Sequence, residues 1–257
     1  MKIGLWILMG GLLFTGCLPV VSNATPLPPQ PSSTPIAAPS LTPTIVWFPP
    51  TSTPTAFASS ILATRTPEEL PQHGEQLFSD DFGDGSAWIL GQTARTSIAV
   101  GNHALTLALD QPEGYLYTLR KSPILGDFYL EVTASPTLCR AADEYGLLLR
   151  VSENLDFFRF SLSCDGYVRL DKYLSGKASS PIPRSMSGAV PPGAPSQSRL
   201  VVWAQGKEMR FYINDQFQFT IKDGTLLRGS LGFFVRSAGE NALTVSYSNL
   251  SVTKIKD

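Results

Sequence analysis

The chain has 257 residues, and its 20 Lys and Arg nearly balance its 21 Asp and Glu, leaving a formal charge of −1. That balance excludes a protein that holds nucleic acid chiefly by electrostatics, and the length is enough to bury a substantial core in one large β domain or two small ones. The charge is unevenly placed. No Asp, Glu, Lys or Arg occurs between Leu18 and Thr64, and apart from Lys2 every charged residue lies at Arg65 or beyond. The break divides the chain into an export signal over residues 1–16, a linker over 17–74 and a folded domain over 75–257.

Residues 1–16 carry one base, Lys2, and then an apolar run from Ile3 to Phe14. The run is too short to span a bilayer comfortably and has the length of a secretory h-region. Its end, Phe14-Thr15-Gly16-Cys17, resembles the lipobox of bacterial lipoproteins, with Phe14 where that family usually has Leu. The resemblance implies cleavage after Gly16, lipidation of Cys17 and a protein held on the extracytoplasmic side of the cell membrane. An ordinary signal peptide cut nearby, or an uncleaved anchor, is the alternative. From Leu18 to about Pro71 the chain is rich in Pro, Thr, Ser and Ala, with T-P steps at Thr34-Pro35, Thr42-Pro43, Thr53-Pro54 and Thr66-Pro67. Proline fixes φ and removes amide donors, so this stretch predicts an extended, unpacked spacer. One apolar island interrupts it, Ile45-Val46-Trp47-Phe48-Pro49-Pro50. It reads first as a chance cluster in a disordered spacer and second as a docking motif.

Beyond Glu75 the apolar stretches are short, alternating and bounded by Gly, Asp, Asn or Pro, the pattern of strands rather than helices. Strands are predicted over 76–82, 97–100, 104–109, 115–119, 128–135, 145–151, 157–163, 167–173, 199–204, 208–213, 216–221, 230–235 and 243–253. Turns fall at Gly101-Asn102, Asp165-Gly166, Gly206-Lys207, Asn214-Asp215 and Asp223-Gly224, where Asn, Asp and Gly tolerate left-handed backbone. About a dozen hairpin-connected strands predict two packed antiparallel sheets. Ser175 to Gln197, with five prolines, reads as one long irregular connection. The stretch from Asp143 to Tyr173 is the most informative. Residues two apart on a strand point the same way, so Leu147, Leu149, Phe158, Phe160, Leu162, Val168 and Leu170 share an apolar face. The opposite face then carries Arg150, Phe157, Arg159, Tyr167, Arg169 and Tyr173, guanidinium groups interleaved with rings.

In order, the domain contains D-D-F at Asp80 to Phe82, Trp88, Y-G-L-L-L-R at Tyr145 to Arg150, F-F-R-F at Phe157 to Phe160 and D-G-Y-V-R-L at Asp165 to Leu170. There follow R-L-V-V-W at Arg199 to Trp203, F-Y-I-N-D at Phe211 to Asp215 and G-S-L-G-F-F-V at Gly229 to Val235. This series resembles the concanavalin A-like lectin/glucanase jelly roll in its laminin-G-like branch. The resemblance implies an all-β, two-sheet antiparallel jelly-roll sandwich and, for the Arg and aromatic face, stacking on sugar rings with hydrogen bonds to their hydroxyls. Those side chains are also what an ordinary exposed strand face uses for cross-strand pairs.

Catalytic patterns are absent from the sequence. The paired carboxylates of the glucanases of this fold, E-x-D-x-x-E, do not occur; neither does G-x-S-x-G. His73 and His103 have no Cys or His at ligand spacing, which argues against zinc. Asp80, Asp81 and Asp84 in D-D-F-G-D-G offer oxygen ligands to a calcium ion, but an edge strand entering a turn, with the carboxylates accepting backbone amides, is the preferred reading, and no cofactor is expected. With Cys17 lipidated, Cys139 and Cys164 remain and are expected to pair outside the cytoplasm: if Ser152 to Asp156 joins an antiparallel pair, Ser163 falls opposite Tyr145 and Cys164 comes to the end of the sheet where Cys139 lies. The expectation is a lipid-anchored, surface-displayed, non-catalytic module binding carbohydrate or another envelope ligand. A structural or protein-interaction module of the envelope is the alternative, and an unusual glycan hydrolase comes third.

Overall fold

A computed structural model describes residues 69–256. The export signal, Cys17, the Pro/Thr spacer and the Trp47 island lie outside the described residues. Those residues form fifteen strands and no helix, arranged as two antiparallel sheets.

The larger sheet takes β1 (His73–Asp80), β2 (Gly91–Gln92), β3 (Thr96–Gly101), β4 (Ala104–Leu109), β6 (Phe128–Leu138), β11 (Ser198–Gln205), β12 (Glu208–Ile213), β13 (Gln216–Lys222) and β15 (Leu243–Ile255). Its order is β13-β12-β11-β6-β15-β4-β3-β2, with β1 paired to β15. Strand β15 is long enough to serve two neighbours in succession on one side: Leu243 to Tyr247 pair with β4, and Leu250 to Ile255 with β1. The smaller sheet takes β5 (Tyr115–Leu119), β7 (Glu144–Val151), β8 (Phe157–Ser163), β9 (Tyr167–Leu174), β10 (Lys177–Met186) and β14 (Ser230–Arg236), in the order β10-β9-β8-β7-β14-β5.

Local chemistry explains the hairpins. Asn102 and His103, and again Asn214 and Asp215, hold positive φ between paired strands, the geometry a two-residue loop needs to match strand twist. The inward alternation produces one core: Leu147, Leu149, Phe158, Phe160, Leu162, Val168 and Leu170 are all buried in it, facing Leu130, Val132, Val202, Phe211 and Val245 of the larger sheet. Burial of each such side chain contributes about 1.5–3 kcal/mol. Trp88, Phe233 and Tyr247 continue the core as a stack, with ring centroids 4.9 and 4.2 Å apart.

Four expectations are corrected. Ser175 to Gln197 is not one irregular loop, because β10 occupies much of it. Pro181 and Pro183 are accommodated because β10 is an edge strand whose pairing with β9 shifts register on both sides of Ile182. Strand β1 begins at His73, so that histidine is part of the sheet, its ring stacked 4.8 Å from Tyr129. In the β7–β8 pair, Ser163 lies opposite Glu144 and Tyr145 opposite Leu162, one residue from the expected register. The fourth correction concerns Arg150. A register shift between β14 and β7 accompanies a positive φ at Arg150, and this bulge turns its side chain out of the alternation. It is 1% exposed, and its guanidinium donates to the carbonyls of Leu226 and Gly126 at 3.0 and 3.4 Å.

Cys139 and Cys164 form a disulfide with Cα atoms 5.8 Å apart. Cys139 follows β6 of the larger sheet and Cys164 follows β8 of the smaller one, so the bond staples the two sheets together.

Candidate functional site

The pleat that buries one set of side chains turns the other outward, and on the smaller sheet the outward set assembles across five strands. Pairing puts Asp171, Arg159, Leu148, Gly232 and Leu119 in one row across β9, β8, β7, β14 and β5. The next rows run Arg169, Ser161, Gly146, Phe234 and Tyr117, then Ser163, Glu144, Arg236 and Tyr115.

Five charges on this face form one chain. Arg236 donates to Glu144 at 2.8 Å, Arg169 bridges Glu144 at 3.1 Å and Asp171 at 3.0 Å, and Arg159 donates to Asp171 at 2.7 Å. Ser180 on β10 donates to the other oxygen of Asp171 at 2.5 Å. Glu144, Arg159 and Asp171 are buried, and charges withdrawn from water this far persist only because each has a partner. Burial would lower the Arg159 pKa, but its hydrogen bond to Asp171 and the nearby tyrosines raise it above the usual arginine value, so it stays cationic.

Aromatic rings surround the Arg159 end. Its guanidinium lies 5.1 Å from the Tyr173 ring, 5.5 Å from Phe234 and 5.8 Å from Tyr115, within cation–π range. Phe157 stacks on Tyr173 at 4.6 Å, and Tyr115 stacks on Phe234 at 5.6 Å. Burial pushes the Tyr115 hydroxyl above its ordinary pKa, so it is neutral and able to donate at physiological pH. Between these groups an open cavity of about 300 Å³ is lined by Tyr115, Phe157, Arg159, Tyr173 and Arg236.

Of the six face residues expected from the sequence, Phe157, Arg159 and Tyr173 line this cavity. Arg169 lies behind it as the bridge between carboxylates. Tyr167 is capped by Arg184, whose guanidinium sits 3.6 Å over its ring and which also pairs with Asp165. Arg150 is removed from the face by the bulge. The expectation missed Tyr115 and Arg236, together with the ordering carboxylates Glu144 and Asp171. Tyr115-Leu116-Tyr117 and Phe234-Val235-Arg236 show the alternation that would have placed them outward, but nothing local says that β14 and β5 lie beside β7.

Each of the three calcium candidates accepts local hydrogen bonds. Asp80 accepts from the Phe82 amide and the Trp88 indole, both at 2.9 Å; Asp81 accepts from the Gly83 amide at 3.0 Å; Asp84 accepts from Ser86 amide and hydroxyl at 2.9 and 2.6 Å. Among the described residues no three His, Cys, Asp or Glu side chains gather as a metal-binding group.

No protein-family model and no curated protein sequence matches the chain. Solved structures do. A carbohydrate-binding module, CBM66 of Bacillus subtilis, superposes with a TM-score of 0.51 at 16% identity over 65% of this chain and 96% of its own. A Bacillus subtilis protein of unknown function with a galectin-like fold gives 0.56 at 14% identity over 72% and 98%. The β-glucanase of Bacillus licheniformis gives 0.52 at 14% identity over 71% and 100%. Identity this low carries the architecture alone: the described domain has the galectin-like, concanavalin A-like jelly-roll fold, which serves both binding modules and hydrolases.

Proposed function

We propose that the chain is a non-catalytic glycan-binding module whose site is the outward face of the smaller sheet. One observation carries the proposal: an open cavity of about 300 Å³ presents two guanidinium groups and three aromatic rings together. Rings stack on the apolar faces of pyranoses, and guanidinium groups and a neutral tyrosine hydroxyl hydrogen-bond the equatorial oxygens. The fold's presence in a carbohydrate-binding module supports the same reading at the level of architecture. The non-catalytic part rests on the carboxylates. Glu144 and Asp171, the acidic residues of the charge chain, are each engaged by two arginines and neither lines the cavity, so no pair of carboxylates is presented there to act on a glycosidic bond.

A glycan array probed with the full-length chain tests the proposal. Retention of at least one glycan is expected, weakened about tenfold or more by Tyr173→Ala and by Arg236→Gln, each removing one cavity contact. Retention unaffected by both changes would move the site elsewhere, and an empty array would end the glycan reading.

The Phe14 to Cys17 motif and the Pro/Thr-rich stretch behind it support display from the cell membrane through lipid on Cys17. Cys17→Ala should release the chain from the membrane fraction and abolish incorporation of labelled fatty acid. Unchanged labelling would rule the anchor out.

A further inference from the structure

Beside the charged cavity lies a second of about 110 Å³, walled by Leu119, Leu148, Val151 and Leu155 with Tyr117 at its side, and sharing Tyr115 and Phe157 with the first. It is continuous with the proposed site and opposite to it in chemistry. Leu148 and Val151 are buried, although they stand on the outward face of the sheet, where water normally demands polar side chains. With Phe234 they form an apolar cluster separate from the main core, flanked by Leu119 and Phe157. Space for Leu119 exists because position 232 is glycine: a Cβ there would come within 2.6 Å of the Leu119 side chain and 2.5 Å of the Thr118 carbonyl.

Resting on the glycan-binding reading, we infer that the ligand is an amphiphilic glycan, a sugar bearing a short apolar substituent such as an acyl or alkyl group. The sugar occupies the Arg159 and Arg236 half, and the substituent enters the leucine- and valine-walled half across the shared Tyr115 and Phe157 rings. The apolar cavity exceeds many times the space one water needs, so it admits several carbon atoms, and its Leu119, Leu148, Val151 and Leu155 walls provide no hydrogen-bonding partner for a sugar hydroxyl. An unsubstituted sugar would leave it solvated at a cost that an acyl or alkyl group removes.

The test is calorimetric titration of the full-length chain with the methyl and hexyl glycosides of the sugar retained on the array, below the concentration at which hexyl glycosides aggregate. Affinity should rise by up to about fourfold for each methylene that enters the pocket, giving the hexyl compound a gain of at least tenfold. Leu155→Asn supplies the control, since Leu155 is 49% exposed and its positive φ suits asparagine, so the fold tolerates the change. It should erase most of the hexyl advantage and leave the methyl glycoside's affinity as it was. Equal affinity for both glycosides in the parent chain would overturn the inference while glycan binding stands. So would a hexyl gain that Leu155→Asn leaves untouched. An array that retains nothing removes the glycan reading and this inference with it.

Discussion

Tyr247 reaches from one sheet to the other. Its ring packs in the core stack, and its hydroxyl accepts the Gly146 amide at 3.0 Å and donates to the Phe234 carbonyl at 3.0 Å, joining β15 of the larger sheet to β7 and β14 of the smaller. Complete burial pushes its ionisation well above the normal tyrosine range. Tyr247→Phe keeps the ring and removes the oxygen, stranding polar backbone in an apolar interior, and should cost about 1–3 kcal/mol. Urea denaturation with an unchanged slope would measure it; a cost near zero would mean that the hydroxyl adds nothing beyond packing. Gly146 itself is equally constrained. A Cβ there would stand 2.0 Å from the Phe160 carbonyl oxygen, so β7 and β8 approach as they do only because this residue lacks a side chain.

Between strands, the Cys139–Cys164 bond does what neither sheet does alone. It closes a loop with a sequence separation of 25 and clamps the corner at which the chain leaves β6 for β7. That corner is also organised by Asp143, whose carboxylate accepts amides from Arg140 and Ala238 at 2.9 Å each and whose carbonyl accepts the Cys164 amide at 3.0 Å. Glu144, the residue that orders Arg169 and Arg236, follows directly. Replacing both cysteines by serine should lower stability by about 3 kcal/mol, the chain-entropy value for a loop of this size. Thermal and chemical denaturation, compared with and without reductant, would measure the loss. A double variant as stable as the oxidised parent would show that the rest of the corner holds the sheets unaided.

For the molecule as a whole, what was legible followed from period and turn chemistry, which act between residues close in sequence. The alternation in Leu147 to Leu170 identified one face of the core, and the Asn and Asp turns identified the hairpins. The two cysteines were expected to pair from a register wrong by one residue, because the end of the sheet is a coarser target than the register itself. Three things were hidden. Strand β10 carries two prolines, and prolines read as loop unless the strand is known to lie at an edge. The bulge that withdraws Arg150 leaves no mark in Y-G-L-L-L-R, since the displaced residue is not glycine. Two of the five residues that line the cavity come from β5 and β14, more than a hundred residues apart at Tyr115 and Arg236, and only tertiary packing brings them together.

The position of β14 has a consequence for biosynthesis. It is the last strand added to the smaller sheet, yet it lies inside it, and β5 pairs with no other member of that sheet. Until Ser230 to Arg236 have been made, β5 has no seat and the cavity lacks both the Tyr115 and the Arg236 walls. Contacts this distant in sequence are slow to form, so the cavity is completed late. An emerging polypeptide thus carries only the Phe157, Arg159 and Tyr173 side of the cavity until β14 arrives.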